Sequence, residues 1–410
     1  MSQSPRYTLY GPQFKANPFP TYAAMRQDEP ICYHPGITGE GMLWFITRYD
    51  DAQAVLRDHE RFVKDWRSTR TPEEIAALPP EAPLAQLLDG HLLNRDGVDH
   101  TRLRGLVNKA FTARMISQQR ERVQEIADQL LDRVQEQGEM ELIDAFAFPL
   151  PIVVILEMLG IPAEDRERFR AWSNAFVAPS LTEDAWREAA LLLTQFTDYL
   201  REIFAQRRAN PRSDLITALV QAEEAGERLS EAELFSMVIL LIVAGHETTV
   251  NLIGNSVLAL LEHPEQMDYL AAHPAAMEKA VEEFLRYVGP VERATTRFVA
   301  QDMEFRGHQM RRGDAVLPVL SSANRDEDQF AQPDRLDVQQ GNSRHLGFGH
   351  GVHYCVGAPL ARMEGVIALN TLLRRLPGLR LAVARAELEW TTVPLFHGVR
   401  HLPVAWGNGQ

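Results

Sequence analysis

The sequence FGHGVHYCVG runs from Phe348 to Gly357 and places Cys355, one of only two cysteines, in a glycine-rich loop. An apolar stretch with helical character, 358–373, follows this loop. A thiolate in such a loop can bind one soft metal centre, and haem iron with the thiolate as axial ligand is the leading candidate. A purely structural role for the loop is the alternative on these residues alone.

Length, charge and cysteine content limit the class of protein. With 410 residues the chain can form two average domains or one large enzyme, and its net charge of −14 argues against nucleic-acid binding. We expect no signal peptide, and the longest apolar run, 234–244, has about 11 residues where a bilayer needs roughly 18. Cys32 and Cys355 are too few for a disulfide framework, and Cys32 is expected to be a small buried hydrophobe. We therefore expect a cytoplasmic protein with no membrane partner.

The hydrophobic periodicity predicts a mainly α fold with small β-sheets. Helices are predicted at 117–137, 185–208, 230–262 and 275–287. Short strands are predicted at 42–47, 295–299, 303–305 and 315–320, and within 379–406. No boundary in this pattern is strong enough to divide the chain, so we expect one domain over 1–410.

The longest predicted helix carries unusual polar residues at its centre. Ser230 and Glu233 form a capping box, and His263-Pro264 ends the helix. Its first half is apolar nearly all round, which predicts burial. The sequence AGHETT then occupies 244–249.

Three interpretations of AGHETT compete. The simplest is a satisfied buried polar cluster with a tolerated glycine. A zinc site would need His-Glu-x-x-His, and the fifth position is Val250, so this interpretation fails. The third is a proton relay beside a small-molecule site, in which Gly245 leaves room against the helix and Glu247 passes protons to the neighbouring Thr248.

Two further sets of charged residues take their meaning from distant partners. Glu283 and Arg286 share one helix face, and they form either a surface ion pair worth under about 1 kcal/mol or a buried pair with Arg335 as a third member. Four basic residues would suit an anionic ligand such as the haem propionates. They are His100, Arg104, Arg297 and His353. Each of these alone is typical of a solvated surface, so their joint weight depends on Cys355.

Nucleotide cofactors have no motif in this chain. A dinucleotide fingerprint beginning at Gly347 would require glycine where Val352 stands, and no phosphate-binding loop with Gly-Lys-Ser/Thr occurs. The protein is therefore not expected to bind a nicotinamide or ATP through such a motif.

Taken together, these residues resemble the cytochrome P450 family of the soluble bacterial kind, and the resemblance covers nearly the whole chain. The loop fits Phe-x-x-Gly-x-His/Arg-x-Cys-x-Gly, AGHETT fits the oxygen motif, and Glu283 with Arg286 fits Glu-x-x-Arg. Asn324-Arg325-Asp326, Phe330 and Pro333 fit the segment before the loop. One position departs: many relatives carry arginine where this chain has Gln340, which affects one supporting contact and not the haem.

The resemblance implies a cytochrome P450-like fold with haem b buried between the long central helix and the Cys355 loop. It implies that Cys355 is the axial iron ligand and that Glu247 and Thr248 are the catalytic acid–alcohol pair. The residues implied to bind the cofactor are His100, Arg104, Ala244, Gly245, Arg297, Phe348, His353, Cys355 and Gly357. Those implied to form the network behind the haem are Glu283, Arg286 and Arg335. Those implied to line the substrate pocket are Val243, Ala244, Val291, Leu395 and Phe396. Segments 64–94 and 176–186 are expected to cover that pocket, and Glu292 or Arg293 could add a polar anchor, although surface exposure is at least as plausible.

The implied reaction is insertion of one oxygen atom from O2 into a lipophilic small molecule by hydroxylation, epoxidation or dealkylation. Electrons would come from a separate ferredoxin and an NAD(P)H-dependent ferredoxin reductase, with Arg102, Lys109 and Arg114 as a basic docking face, and the protein would be a monomer. The alternatives are a peroxide-driven haem-thiolate enzyme, a non-catalytic haem sensor and a haem-free structural protein.

Overall fold

A computed structural model describes residues 6–37, 41–79, 89–177, 183–224 and 227–407. These residues divide into two compact units. The first contains 1–62, 121–150 and 248–410, and the second contains 63–120 and 151–247. The predicted segments 64–94 and 176–186 lie partly outside the described residues, at 80–88 and 178–182. A single domain over 1–410 remains a prediction.

The first unit holds the main β-sheet. Its strand order is Ile31–Pro35, Met42–Ile46, Ala315–Pro318, Arg297–Val299 and Phe62–Val63. The first two strands are antiparallel with Ile31 opposite Ile46, and the third runs parallel to the second with Ala315 opposite Leu43. Alternate side chains of this sheet enter an apolar core with Phe62, Val299 and Val316, all at most 1% exposed.

Two smaller β elements complete the described strands of the first unit. A three-stranded antiparallel sheet consists of Arg380–Leu381, Pro403–Ala405 and Glu139–Glu141. A hairpin joins Met303–Phe305 to His308–Met310 through Arg306 and Gly307, whose φ angles of 52° and 84° are both positive. Two positive φ angles are what a two-residue type I′ turn requires, because its twist matches that of the flanking strands.

The first unit also contains several α-helices. They are Pro12–Ala16, Phe19–Asp28, Tyr49–Arg57, Arg120–Asp132, Pro264–Ala272, Met277–Tyr287, Leu320–Ala323 and Ala358–Arg375, with a π-helical turn at Ile143–Ala147. The predicted helix at 117–137 is wrong as one element, because the chain begins a new helix at Arg120 and turns into 3-10 geometry at Gln135–Gln137.

The second unit is almost entirely helical in its described residues. Its helices are Pro72–Ala76, Gly97–Ala110, Ala113–Gln118, Pro149–Leu159, Arg166–Val177, Glu183–Ala209 and Leu215–Gln221. Trp172 stacks on Phe196 with ring centroids 4.8 Å apart, and Phe169 meets the same ring edge-on at 5.3 Å. These aromatic contacts join the helices around 169 and 196 into one core.

The long helix Glu231–Glu262 contributes residues to both units. Its capping box is confirmed, since Ser230 N donates to Glu233 at 2.7 Å and Glu233 N donates back to the Ser230 hydroxyl at 3.3 Å. By length and composition this helix could cross a membrane, but 67% of its most apolar 18-residue window is buried inside the protein. Such burial is typical of a core helix.

Candidate active site

The Cys355 loop is a tight turn whose backbone presents an exposed thiol. Cys355 N donates to Phe348 O at 3.0 Å, and Gly349 N donates to Leu346 O at 2.8 Å. Gly351 has a φ of +75°, and a Cβ there would lie 2.8 Å from Leu56 O. Only glycine accommodates both the left-handed backbone and this close approach. The turn therefore needs its glycines to hold the cysteine in an exposed position.

Glu283 and Arg286 form the buried pair that the sequence left open. Both side chains are at most 4% exposed, and the guanidinium makes two hydrogen bonds to the carboxylate, of 2.7 and 2.8 Å. Arg286 also donates to the carbonyls of Asn324, Pro333 and Arg335 at 3.1, 2.7 and 3.0 Å. The helix Met277–Tyr287 is thereby tied to the chain that leads into the loop.

The predicted role of Arg335 requires a correction. Its guanidinium is exposed and donates to Gln332 at 3.3 Å, while only its backbone carbonyl meets Arg286. The buried pair therefore takes a main-chain acceptor from position 335 and not a side-chain charge. Asn324 continues the connection, because its amide oxygen accepts from Leu346 N at 2.7 Å.

A second polar cluster, missed from the sequence, clamps the loop itself. Glu282 accepts two hydrogen bonds from Arg362, at 2.6 and 3.0 Å, and its Oε2 lies 3.2 Å from His345 Nε2. Arg362 also donates to Tyr354 OH at 3.3 Å and lies 4.5 Å from the Phe348 ring centre. Burial raises the pKa of Glu282, but the hydrogen bonds from His345 and Arg362 outweigh burial and bring this pKa to about 2.

Tautomer chemistry supports the direction of the His345 bond. Gly347 N donates to His345 Nδ1 at 3.0 Å, so Nδ1 is the acceptor. Nε2 must then carry the hydrogen and donates it to Glu282. The sequence indicates this cluster only weakly. Glu282 stands directly before the motif residue Glu283, and Arg362 follows Cys355 by about two helical turns, but nothing in the sequence shows that the two residues meet.

The basic residues predicted near the haem fall into two sets. In the first unit, Arg297 is 4% exposed on its strand and donates to Thr295 O at 3.2 Å, while His353 lies in the short 3-10 turn Gly351–His353. In the second unit, the helix Gly97–Ala110 carries His100 and Arg104 on one face, with His100 5% exposed.

The central part of the long helix exposes one strip on an otherwise buried surface. Ala244 is exposed and Leu240, Glu247, Thr248 and Asn251 are partly exposed, while the intervening residues are mostly buried. Spacings of three and four residues put these positions on one face of a helix. Val243 lies outside this strip and is 5% exposed. The strip therefore brings Ala244, Glu247 and Thr248 to one accessible surface.

His246 and Gly245 explain how the helix accommodates its polar centre. His246 is fully buried, its Nδ1 lies 2.8 Å from Ile242 O, and its Nε2 lies 3.2 Å from Glu247 Oε1. A Cβ at Gly245 would lie 3.3 Å from Ile155 of the helix Pro149–Leu159. The prediction that Gly245 leaves room beside a ligand thus needs correction, because the room on that side is filled by a neighbouring helix.

Three of the predicted substrate-pocket residues come together in the first unit. Val291 and Phe396 form an antiparallel bridge, and Glu292 N donates to Leu395 O at 2.9 Å. Glu292 and Arg293 are not surface residues, because their side chains are 0% and 2% exposed.

These two residues belong to a buried ion cluster and not to a free anchor. Glu292 contacts Lys15 Nζ at 2.6 Å, Tyr22 OH at 2.6 Å and Arg293 Nε at 3.0 Å. With its acceptors occupied in this way, Glu292 ties the N-terminal helices to the segment bearing Val291.

A further buried acid, Glu364, was not predicted from the sequence. Glu364, on the helix Ala358–Arg375, is 1% exposed, and burial raises its pKa to about 8, with a hydrogen bond from the Thr249 side chain offsetting part of the increase.

Cys32, by contrast, is the buried hydrophobe that was expected: it is 3% exposed, and burial raises the pKa of its thiol to about 12.

Comparison with known proteins identifies the family. The sequence profile of Cytochrome P450 matches residues 163–273 and 275–377. Cytochrome P450 monooxygenase PikC of Streptomyces venezuelae is 44% identical over 404 residues, covering 98% of this chain and 94% of that protein. The chain belongs to the cytochrome P450 family.

Solved P450 structures confirm the fold. The polyketide synthase cytochrome P450 PksS of Bacillus subtilis 168 is 40% identical and superposes with a TM-score of 0.90 over 98% of this chain and 100% of that one. Myxobacterial cytochrome P450 CYP267B1, solved with myristic acid, is 42% identical with a TM-score of 0.91 over 98% and 99%. The prediction of a mainly α, P450-like monooxygenase is confirmed.

The P450 family uses a haem-iron cofactor, and the residues present fit it. An exposed cysteine in a glycine-rich turn supplies the soft donor that haem iron takes as an axial ligand. The small, accessible Ala244 leaves one face of the long helix open to a flat ligand. Arg297 and His353 supply cationic or hydrogen-bonding groups of the kind that carboxylates bind.

Proposed function

We propose that this P450 is a haem b monooxygenase that inserts one oxygen atom from O2 into a lipophilic small molecule by hydroxylation, epoxidation or dealkylation. It acts in the cytoplasm as a monomer over the single domain 1–410 and takes electrons from a ferredoxin and an NAD(P)H-dependent ferredoxin reductase. The observation that carries this proposal is the accessible strip of Ala244, Glu247 and Thr248 on an otherwise buried helix.

Each residue of the strip and the loop has a distinct task. The Cys355 thiolate would hold the haem iron, and the haem would supply the oxidising chemistry when bound. Glu247 accepts and releases protons at its carboxylate, and the Thr248 hydroxyl passes them on at the accessible surface of the strip. Ala244 keeps that face free of bulk, Gly245 lets the long helix pack closely against Ile155, and Phe348 and Gly357 shape the loop.

Four side chains would bind the haem propionates. They are His100, Arg104, Arg297 and His353. Hydrogen bonds to carboxylates are strengthened when the donor is charged, which suits the two arginines. Glu283 and Arg286 hold the chain that carries the loop, and Arg335 contributes its carbonyl.

The axial ligand is tested by the spectrum of the reduced carbon monoxide complex. The wild-type protein is expected to show the long-wavelength Soret band of a thiolate-ligated haem, and Cys355→Ala is expected to lose it. Cys32→Ala is the matched control, because it removes the other cysteine and should leave the band in place. A Cys355→Ala variant that kept the band would overturn the assignment.

The electron source is tested by charge reversal on the helix Gly97–Ala110 and its neighbour. Arg102 no longer qualifies as a free docking cation, because it forms an ion pair with Glu233. Lys109 and Arg114 are exposed, so Lys109→Glu with Arg114→Glu should slow electron transfer from an acidic ferredoxin and weaken its salt dependence. Arg187→Glu, another exposed charge reversal in the same unit, is the control and should have little effect.

A peroxide-driven mechanism gives the opposite kinetic result. Turnover with hydrogen peroxide, and none with reduced ferredoxin, would replace the proposal. The Glu247–Thr248 pair favours O2, because a peroxide-driven enzyme has no need of that proton path.

The substrate class is supported by the apolar side chains of Val291, Leu395 and Phe396. The related CYP267B1 was solved with myristic acid, so a fatty acid of that length is a natural first probe. A low-to-high spin shift of the haem on titration with lipophilic compounds, followed by product analysis, tests the class. Shifts confined to charged, hydrophilic compounds would contradict it.

A further inference from the structure

The polar cluster of Glu282, His345 and Arg362, here called the Glu282 clamp, contacts the residue that holds the cysteine in its turn. The Arg362 guanidinium lies 4.5 Å from the centre of the Phe348 ring, and the His345 ring centre lies 5.9 Å from it. The backbone carbonyl of Phe348 accepts the N–H of Cys355 at 3.0 Å. The clamp thus lies one residue away from the thiol along a direct hydrogen-bond connection.

Arg362 also contacts the residue that directly precedes the cysteine. It donates to the Tyr354 hydroxyl at 3.3 Å, and the ring centres of Tyr354 and Phe348 lie 6.2 Å apart. A cation held over an aromatic face and bonded to a phenol has a fixed position. One positive charge is therefore fixed beside both residues that border Cys355 through a peptide or hydrogen bond.

The clamp carries one negative and one positive charge, so its net charge is zero. Burial raises the pKa of Glu282, but hydrogen bonds from His345 and Arg362 outweigh burial and bring it to about 2, so the carboxylate is ionised at neutral pH. The hydrogen bonds to Glu282 raise the pKa of Arg362. Because His345 Nδ1 accepts from Gly347 N and its Nε2 carries the hydrogen, this imidazole is neutral.

Partial burial increases the effect that either charge would have alone. The side chains of His345 and Glu282 are 1% and 14% exposed, and that of Arg362 is 34% exposed. Charges at such positions act through a lower effective dielectric constant than charges in water. The field of Arg362 at the loop is small only because Glu282 opposes it from the adjacent helix Met277–Tyr287.

This balance has a consequence for a metal centre at Cys355. Reduction of a bound iron by one electron adds one negative charge to the site, which a neighbouring cation favours and a neighbouring anion opposes. Groups behind the metal ligands tune a centre in this way without touching it. Neutral side chains could supply hydrogen bonds to the loop, whereas a matched acid and base also fix its electrostatic potential.

We propose that Glu282 is a positioning residue that sets the reduction potential of the haem by neutralising Arg362 beside the Cys355 loop. The inference rests on the proposed ligation of haem by Cys355. Glu282 keeps the potential low by cancelling a charge that would otherwise draw electron density away from the thiolate. The electron itself comes from the external reductant, and no proton moves within the clamp.

Redox titration of the holoenzyme with dithionite and mediator dyes tests the proposal, because opposite charge changes should have opposite effects. Glu282→Gln leaves Arg362 unbalanced and should raise the equilibrium constant for one-electron reduction at least about threefold, a shift of about 28 mV. Arg362→Gln leaves Glu282 unbalanced and should lower it by a similar factor. The double variant is neutral again and should return to within about twofold of wild type.

Two controls separate charge from geometry. Arg362→Lys keeps the positive charge but loses the two-pronged bond to Glu282, so its potential should stay near that of wild type. Glu278→Gln removes an exposed charge from the same helix and should leave the potential unchanged. If the clamp were only structural, every variant that weakens it, Arg362→Lys included, would shift the potential in one direction.

The reduced carbon monoxide spectrum is recorded first for each protein. A wild type without the thiolate Soret band would contradict the haem-thiolate function itself. With the band present, an unshifted Glu282→Gln, shifts of the same sign in Glu282→Gln and Arg362→Gln, or a double variant that stays at the Glu282→Gln value would each overturn the inference alone. If Arg362→Gln loses the band, the comparison of Glu282→Gln with the double variant decides.

Discussion

Glu364 gives the sharpest test of the buried electrostatics of this P450. Burial raises the pKa of its carboxyl from 4.5 to about 8, so the folded protein keeps this group protonated at neutral pH. An unfolded chain releases the proton above pH 4.5. Stability from this group is therefore complete below pH 4.5 and is lost as the pH rises toward 8.

The size of the effect follows from the two pKa values. Each pKa unit corresponds to about 1.4 kcal/mol, so the 2.5 units between pH 4.5 and pH 7 remove about 3 kcal/mol from the free energy of unfolding. Glu364→Gln cannot ionise and lacks this loss. We expect the free energy difference between variant and wild type to move in favour of the variant by about 1.4 kcal/mol per pH unit between pH 5 and pH 7.5.

The assay is urea unfolding of the holoenzyme, followed by far-UV circular dichroism at half-unit pH steps. Glu278→Gln, which changes an exposed acid on a neighbouring helix, is the control and should run parallel to wild type. The slope carries the result, because the glutamine amide has its own burial cost that does not change with pH. Parallel profiles of wild type and Glu364→Gln would show that Glu364 is ionised in the folded protein, which contradicts a raised pKa for this carboxyl.

Three further predictions concern the chain around the loop. Arg286→Lys cannot keep both hydrogen bonds to Glu283 or its three carbonyl partners, so it should lose about 3–5 kcal/mol of stability and incorporate less haem, as measured by urea unfolding and by haem content. Glu282→Gln should lower the stability of the protein near neutral pH. The wild type should lose the stability that ionised Glu282 contributes as the pH falls from 4.5 toward about 2, and the variant should not show this acid-induced loss. The thiolate Soret band of the reduced carbon monoxide complex reports both effects. In Gly351→Ala the alanine would have to adopt a positive φ and its Cβ would clash with a backbone oxygen, so this variant should lose that band. Gly307→Ala is the control: its φ of +84° is also positive, but its Cβ would lie in open space. It should cost only about 1–2 kcal/mol and keep the band.

Local sequence patterns predicted much of the fold correctly. The capping box at Ser230 and the proline at 264 fixed both ends of the helix Glu231–Glu262, because both signals act within a few residues of the chain. The strand prediction at 303–305 matched the structure, although its hairpin partner His308–Met310 was not predicted. Three residues beside a positive-φ turn carry too little periodicity to register as a strand.

Buried charges were the main failure, and their cause is long-range. Glu292 and Arg293 look like surface residues in sequence, but Lys15, 277 positions away, donates to Glu292 inside the protein. Glu364 follows an arginine by two residues and looks equally ordinary. Whether a charge is buried depends on partners that only the folded chain supplies, so no local pattern reports it.

Arg286 and Arg335 differ in which of their atoms make the contacts, and a sequence motif does not show this difference. Arg286 requires its own guanidinium, because one planar group makes five hydrogen bonds to Glu283 and to three carbonyls. Position 335 contributes a carbonyl, which every amino acid has. The loop that presents Cys355 is thus held partly by side chains whose identity is fixed and partly by backbone atoms whose position alone is fixed. A sequence motif reports a required side chain directly. It does not report a required backbone atom, and so the side chain of Arg335 was given a role that its carbonyl performs.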